Sequence, residues 1–278
     1  MHEENRVTVA DLCEFMNNFA PLPLAEAWDN VGLLLGRKNR YVKAIMTCLT
    51  LTEDVAAEAQ EQQVDLVITH HPVMFRSLKK LTDETSEGRT LLTLLESGVA
   101  VYSPHTAFDS THSGINQQLA EASGLTQIQP LRPSTLNEMI GAGRLGLMPA
   151  AATLQEFAHQ LMSVLAIPSL EICMCSNTVQ KVAVACGAAA EFLEDAIRLQ
   201  CDTFITGEAR FHSILEARSA GLNLILTGHY ASERFAVETL ATEITRGFPA
   251  IRSFASQSEK NPSRLLTGHG WVSNEAVT

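Results

Sequence analysis

Three apolar stretches each run into side chains able to bind metal or move protons: VDLVITHHP (64–72), VAVYSPHTAFD (99–109) and NLILTGHYASE (223–233). They deliver His70, His71, His105, Asp109, His229 and Glu233, which is four imidazoles and two carboxylates with no thiolate. That mixture suits Zn, Fe, Mn or Co and fits neither an all-oxygen Ca or Mg cage nor an iron–sulfur cluster. Carboxylates commonly bridge two such ions ~3.5–4 Å apart, and the pair makes water a nucleophile at neutral pH. Any one of these histidines alone reads as a satisfied core or surface imidazole. Six such groups ending three strands read as one metal-binding cleft. Glu208 and His212 form another i, i+4 pair after a strand and read as supporting groups. His2, His159, His212 and His269 lack the strand-end context and are left out of the ligand set.

The elements that must position these groups are the strands of an open α/β sheet, where ligands bind outside the carboxyl ends. Adjacent strand residues face opposite ways, so His70 and His71 converge only if Pro72 forces the chain out of the strand. In HTAFD and GHYASE the metal-binding types lie four apart, on one face of a helical turn if Tyr230 onward is helical. Trp28-Asp29-Asn30 reads as a turn anchor rather than chemistry. Thr52 before Glu53 and Asp54 reads as a helix cap, as does Thr153.

The two halves of the chain superimpose. Lys43 to Cys48 (KAIMTC) is repeated by Lys181 to Cys186 (KVAVAC) 138 positions later, and Asp65-Leu-Val-Ile-Thr69 by Asp202-Thr-Phe-Ile-Thr206 at an offset of 137. Helix-like segments with one apolar face follow the first of each pair. Gly98 to Asp109 answers Gly221 to Glu233, so strand, helix, strand, helix, strand occurs twice. Such units favour parallel strands with right-handed crossovers. The expected architecture is α/β: two related modules, an internal pseudo-repeat, facing a shared dinuclear metal cleft. Pro130, Pro133 and GAGRLG (141–146) mark a junction, giving a first module over 1–130, completed by 229–278, and a second over 131–228. The closing stretch QSEKNPSRLLTGHGWVSNEAVT reads as a loosely packed tail.

Composition narrows the function. A formal net charge of −11 and the lack of any Lys/Arg-rich run argue against a general nucleic-acid binder. No apolar run approaches the ~20 residues of a membrane helix, and MHEENRVT is not a signal peptide, so a cytoplasmic protein is expected. The six cysteines include no C-x-x-C pair and read as buried, reduced thiols. GAGRLG lacks the strand–glycine–helix context of a nucleotide fingerprint, and no P-loop is present.

With these residues in view the chain resembles the Nif-three-like (NGG-interacting factor) family, whose members are often called GTP cyclohydrolase I type 2 homologues. The resemblance covers about residues 8–250 and is carried by AEAWDNVGLLLG (25–36), VITHHPVMF (67–75), HTAFD (105–109), TGEARFH (206–212) and GHYASE (228–233). It implies a pair of α/β domains with a dinuclear centre of two divalent transition-metal ions, in subunits that assemble as a homohexameric ring. By motif, the metal ligands are His70, His71, Asp109, His229 and Glu233, with His105 beside them as a substrate or water contact. The residues alone treat His105 and His229 as equivalent. The family pattern weakens at FPAIRSFASQSEKNPSRLL, where polar residues stand for an expected apolar run. The implied activity is a metal-dependent hydrolase acting on a nucleotide or related heterocycle. On GTP, activated water would attack C8, His105 would move a proton and Arg76 would meet phosphate. The alternatives are a metal carrier or insertion factor, and a ring-forming adaptor with a structural metal site.

Overall fold

Runs such as Leu66–Thr69 (LVIT) are apolar on both faces, the pattern of a central parallel strand covered on two sides. In the structure, a computed structural model describing residues 6–267 and 270–272, such strands form the middle of two sheets. His2, His269 and the end of the expected tail lie outside the described residues.

The chain divides into two compact units, Met1–Phe108 with Ala236–Lys260, and Asp109–Phe235 with Asn261–Thr278. In the first, β1 (Gly32–Leu35), β2 (Ala44–Cys48), β3 (Leu66–Thr69), β4 (Ala100–Ser103) and β11 (Arg252–Ala255) lie in the order β1-β4-β3-β2-β11. Only the β1 edge is antiparallel. In the second, β5 (Thr126–Pro133), β6 (Gly141–Thr153), β7 (Glu171–Cys173), β8 (Thr178–Ala185), β9 (Thr203–Thr206) and β10 (Asn223–Leu226) lie in the order β5-β6-β8-β9-β10-β7. Here β8, β9 and β10 are parallel, and β7 closes one edge antiparallel.

Each unit therefore holds three consecutive parallel strands with an antiparallel strand beside the third. One aspartate plays the same part in each. Asp65 Oδ2 accepts the backbone N–H groups of Lys43 and Ala44 at 2.8 and 3.2 Å, and Asp202 Oδ2 those of Gln180 and Lys181 at 2.9 and 2.7 Å. These bonds fall 137 residues apart throughout, one fewer than the 138 separating Lys43 from Lys181.

The cores match these sheets. Met46, Val67 and Val101 pack against Val55, Ala59 and Leu94 of the helices Glu53–Glu61 and Ser86–Ser97 in the first unit. Ala183, Phe204 and Leu224 pack against Leu193, Ala196 and Ala217 in the second. Each full burial of a large apolar side chain contributes ~1.5–3 kcal/mol. The caps form as expected, with Thr52 accepting from Val55 N and Thr153 making a capping box with Glu156.

Several expectations change. The junction near 130 falls inside β5, whose pairing with β6 ties it to the second unit, and of 229–278 only 236–260 joins the first. GAGRLG is not a connecting loop but the start of β6, because Arg144 within it is buried as a hydrogen-bond hub. Cys175 is exposed and Cys13 and Cys173 half-buried, while all six cysteines are free. The polar run after Phe248 still delivers β11, parallel to β2. Its polar groups serve the buried Glu58, which accepts hydrogen bonds from Ser256 Oγ (2.5 Å), Gln257 N (2.9 Å) and Ser258 N (3.0 Å). No helix among the described residues is long and apolar enough to cross a membrane.

Candidate metal centre

In the first unit the donors gather at the carboxyl ends of β3 and β4. β3 stops at Thr69, before Pro72, and the His70 and His71 N–H groups bond back to the Cys48 and Leu49 carbonyls. This bend lets both imidazoles converge, with ring centroids 5.0 Å apart, and His105 joins them at 5.1 and 5.7 Å. One nitrogen from each of the three rings lies within 4.8 Å of the others. His71 Nδ1 is 2.7 Å from Thr50 Oγ1.

His105 is the most constrained of the three. It opens the helix His105–Ser110 with φ +30°, a conformation a side-chain-bearing residue adopts only when its surroundings fix it. What fixes it is Asp29, whose side chain is fully buried and whose Oδ1 lies 2.7 Å from His105 Nδ1. The other carboxylate oxygen accepts from Thr106 N at 3.2 Å and Thr106 Oγ1 at 2.5 Å. Burial alone would push Asp29 up, but the His105 and Thr106 hydrogen bonds hold its carboxyl below the ordinary carboxylate value. With Nδ1–H donated to Asp29, a neutral His105 presents the lone pair of Nε2. Asp29 also accepts from Asn30 N at 2.8 Å, so it is a turn anchor as read, but its larger part is to aim His105.

In the second unit the helix His229–Glu233 follows β10, beginning one residue before the expected Tyr230. His229 Nε2 lies 3.1 Å from Glu233 Oε2 across one turn, and its Nδ1 lies 3.0 Å from Glu208 Oε1. The hydrogen bond to Glu233, reinforced by the charges of Glu233 and Glu208 and opposed by burial, raises the His229 pKa to about 9. Glu208 therefore pairs with His229 and not with His212. The helix there starts at Phe211, which leaves Glu208 in the preceding loop and His212 exposed.

Asp109 Oδ1 accepts from the Cys186 thiol at 3.3 Å. Asn116 ties the two backbones together, donating to the Asp109 carbonyl and accepting from Cys186 N. Burial, then Asp109 and Glu233, push the Cys186 thiol well above its usual value, so two carboxylates bear on one buried point. Gly187 adjoins it at φ +66°, where an added Cβ would stand 2.3 Å from Glu233 Oε1 and 3.4 Å from His229 Nε2. The glycine leaves room for the carboxylate and imidazole to meet. Neither Cys186 nor Gly187 stood out in the sequence, since a cysteine ending an apolar strand looks like core.

Arg76 is exposed on the loop after His71. Within the first unit, then, the fold brings together His70, His71 and His105, and within the second it brings together His229 and Glu233 and sets Asp109 against Cys186. Imidazole nitrogens with carboxylate oxygens fit borderline divalent transition metals, and the space kept clear by Gly187 fits a packed ligand pair.

The Duf34/NIF3 (NGG1p interacting factor 3) family profile matches residues 7–262. A Clostridium perfringens protein named GTP cyclohydrolase 1 type 2 homolog is 32% identical over 224 residues, 80% of this chain and 86% of the relative. A Helicobacter pylori protein named GTP cyclohydrolase 1 type 2 is 32% identical over 263 residues, 93% of this chain and 99% of the relative. A Staphylococcus aureus protein of solved structure superimposes with a TM-score of 0.86 at 25% identity, over 94% of this chain and 99% of its own. The profile spans nearly the whole chain and all three histidine-bearing segments, and the chain belongs to the Duf34/NIF3 family.

Proposed function

We propose that the chain is a metal-dependent hydrolase of a nucleotide or related heterocycle, built from two related modules that share one dinuclear metal cleft. The duplication is supported by the matched strand orders and by the paired roles of Asp65 and Asp202. His70, His71, Asp109, His229 and Glu233 would hold two divalent ions of the Zn, Fe, Mn or Co class. Such ions would supply Lewis acidity toward substrate and water. The remaining chemistry belongs to the side chains. The observation that carries the reading is the buried Asp29–His105 pair beside two further imidazoles. A carboxylate behind an imidazole serves a metal ligand as well as a proton carrier, and His105 is read as the proton carrier because the five ligands matched by motif do not include it. In a hydrolase His105 can take a proton at Nε2 from the attacking water and return it to the leaving group while Asp29 fixes the tautomer. Arg76, exposed nearby in sequence to His71, would meet a phosphate.

The name of the Helicobacter pylori relative makes GTP the first substrate to try. A homohexameric assembly in the cytoplasm completes the proposal. The test is metal content by mass spectrometry on protein purified without chelator, followed by nucleotide hydrolysis. Wild type should carry about two ions per chain, Glu233→Ala should lose them, and His105→Ala should keep them while losing turnover. A second reading, metal carrier, is favoured by the 34% exposure of the His229 side chain, which leaves it open to exchange. It would be preferred if metal bound, exchanged within minutes and supported no turnover on any nucleotide.

A further inference from the structure

Beside His105 the first unit exposes two large aromatic side chains that no packing requirement explains. Trp28 is 59% and Phe75 53% exposed. Their ring centroids lie 5.8 Å apart, and each lies close to the His105 ring, at 6.1 and 6.3 Å. The three planes meet at 71°, 73° and 88° and so form the corner of a box. The corner is braced: Asn30 Nδ2 donates to the Met74 carbonyl at 2.7 Å, fastening the loop that carries Trp28 to the loop that carries Phe75, and Asp29 fastens the first of these to His105. Solvated aromatics on braced loops are held ready for a ligand.

We infer that Trp28 and Phe75 form a stacking corner for a flat heterocyclic ring and set the ring selectivity of this site. The inference rests on the hydrolase reading and adds to it the part of the substrate that is recognised. A flat ring laid on one wall turns its edge to the others, which satisfies both the stacked and the edge-to-face preferences of aromatic pairs. An aliphatic ligand would leave these ring faces unused. A quaternary ammonium, the other guest of aromatic corners, is disfavoured by Arg76 next to Phe75 and by the cations that His70 and His71 are suited to hold. Since His105 is one wall, a ring seated here places its edge beside the imidazole that would move the proton.

The fluorescence of Trp28 reports on this directly. The full-length protein with Trp271→Phe keeps Trp28 as its one indole. Guanosine should quench it saturably, and ribose 5-phosphate and tetramethylammonium should not. Phe75→Ala should weaken guanosine binding roughly tenfold or more, in the range found for loss of a stacking partner. Phe75→Leu, which keeps the apolar bulk, should melt like wild type and still bind weakly. Absence of saturable quenching, quenching by tetramethylammonium, or unchanged binding in both Phe75 variants would overturn the inference. So would a ligand-free blue shift on concentrating the protein, since the corner would then be covered by a second copy. Binding needs no turnover, so guanosine bound by a metal-loaded protein that hydrolyses no nucleotide would overturn the hydrolase reading alone, and hydrolysis without ring binding would overturn the corner alone.

Discussion

Replacing Gly187 by alanine tests the second donor set at a single atom. At φ +66° an alanine bears the left-handed penalty of roughly 1–2 kcal/mol. Its Cβ would stand 2.3 Å from Glu233 Oε1, where ordinary contact begins near 3.4 Å, so the carboxylate must retreat by about 1 Å. Glu233 is only 3% exposed, which leaves it little room to move. Metal–ligand distances tolerate about 0.2 Å, so a shift of that size removes the ligand and should cost at least 10–100-fold in metal affinity. Gly221→Ala supplies the control, because φ is +73° there and nothing lies within 4 Å of the added carbon. Both variants should lose stability from the backbone term, about 1–2 kcal/mol, with roughly 1–3 kcal/mol more for Gly187→Ala from overpacking. Zinc affinity by competition with a chromophoric chelator, and urea unfolding of the metal-free proteins, give the two readouts. Equal zinc affinity in the two variants would refute the placing of Glu233 as a ligand packed against Gly187.

Three further outcomes follow from the same reasoning. Asp29→Asn should retain metal while losing roughly 10²-fold or more in turnover, since the amide no longer selects the Nδ1–H tautomer; metal analysis beside steady-state kinetics checks it, and an unchanged kcat would sink the positioning role. Glu58 accepts three hydrogen bonds that outweigh its burial and hold its carboxyl below the usual 4.5, so its stabilisation is complete above that value and is lost as pH falls through the lowered folded pKa. Glu58→Gln should therefore destabilise the protein by about 2–3 kcal/mol at pH 7 and flatten the acid limb of the stability–pH curve, and an unchanged acid limb would count against it. Arg144 is 1% exposed and donates to the carbonyls of Gly141, Gly143, Ser110 and Thr111 and to Gln117 Oε1, with burial lowering its pKa to about 10, still charged at neutral pH. Arg144→Lys keeps the charge without the fork, and should still lower the melting temperature and, with Asp109 as the proposed ligand one residue before Ser110, weaken metal binding; a variant that melts and binds like wild type would show the fork to be dispensable.

The groups on which the proposed chemistry rests could be placed from the chain because they are rare types at the ends of apolar runs. His70, His71, His105 and His229 follow β3, β4 and β10 at the carboxyl edge where a parallel sheet leaves its loops free. The groups that aim them could not be read in the same way. Asp29 precedes a turn, and an aspartate there has a sufficient local explanation; its partner His105 lies 76 residues on, and only the assembled sheet brings them to 2.7 Å. Glu208 and His212 look paired in the sequence for a related reason: four-residue spacing implies contact only inside a helix, and the helix begins after Glu208. Glu58 explains the polar run near the carboxyl end, which looked like a departure from the pattern until a buried acceptor required donors there. In each case the missed residue is a carboxylate whose local setting already accounted for it, while its actual partner was distant. A buried carboxylate stays ionised only where donors converge on it. Asp29 meets that condition through His105 and Thr106, and the same donors that lower its pKa hold His105 at φ +30°. The strain at His105 and the charge on Asp29 are therefore one device, and a substitution at either end should be felt at the other.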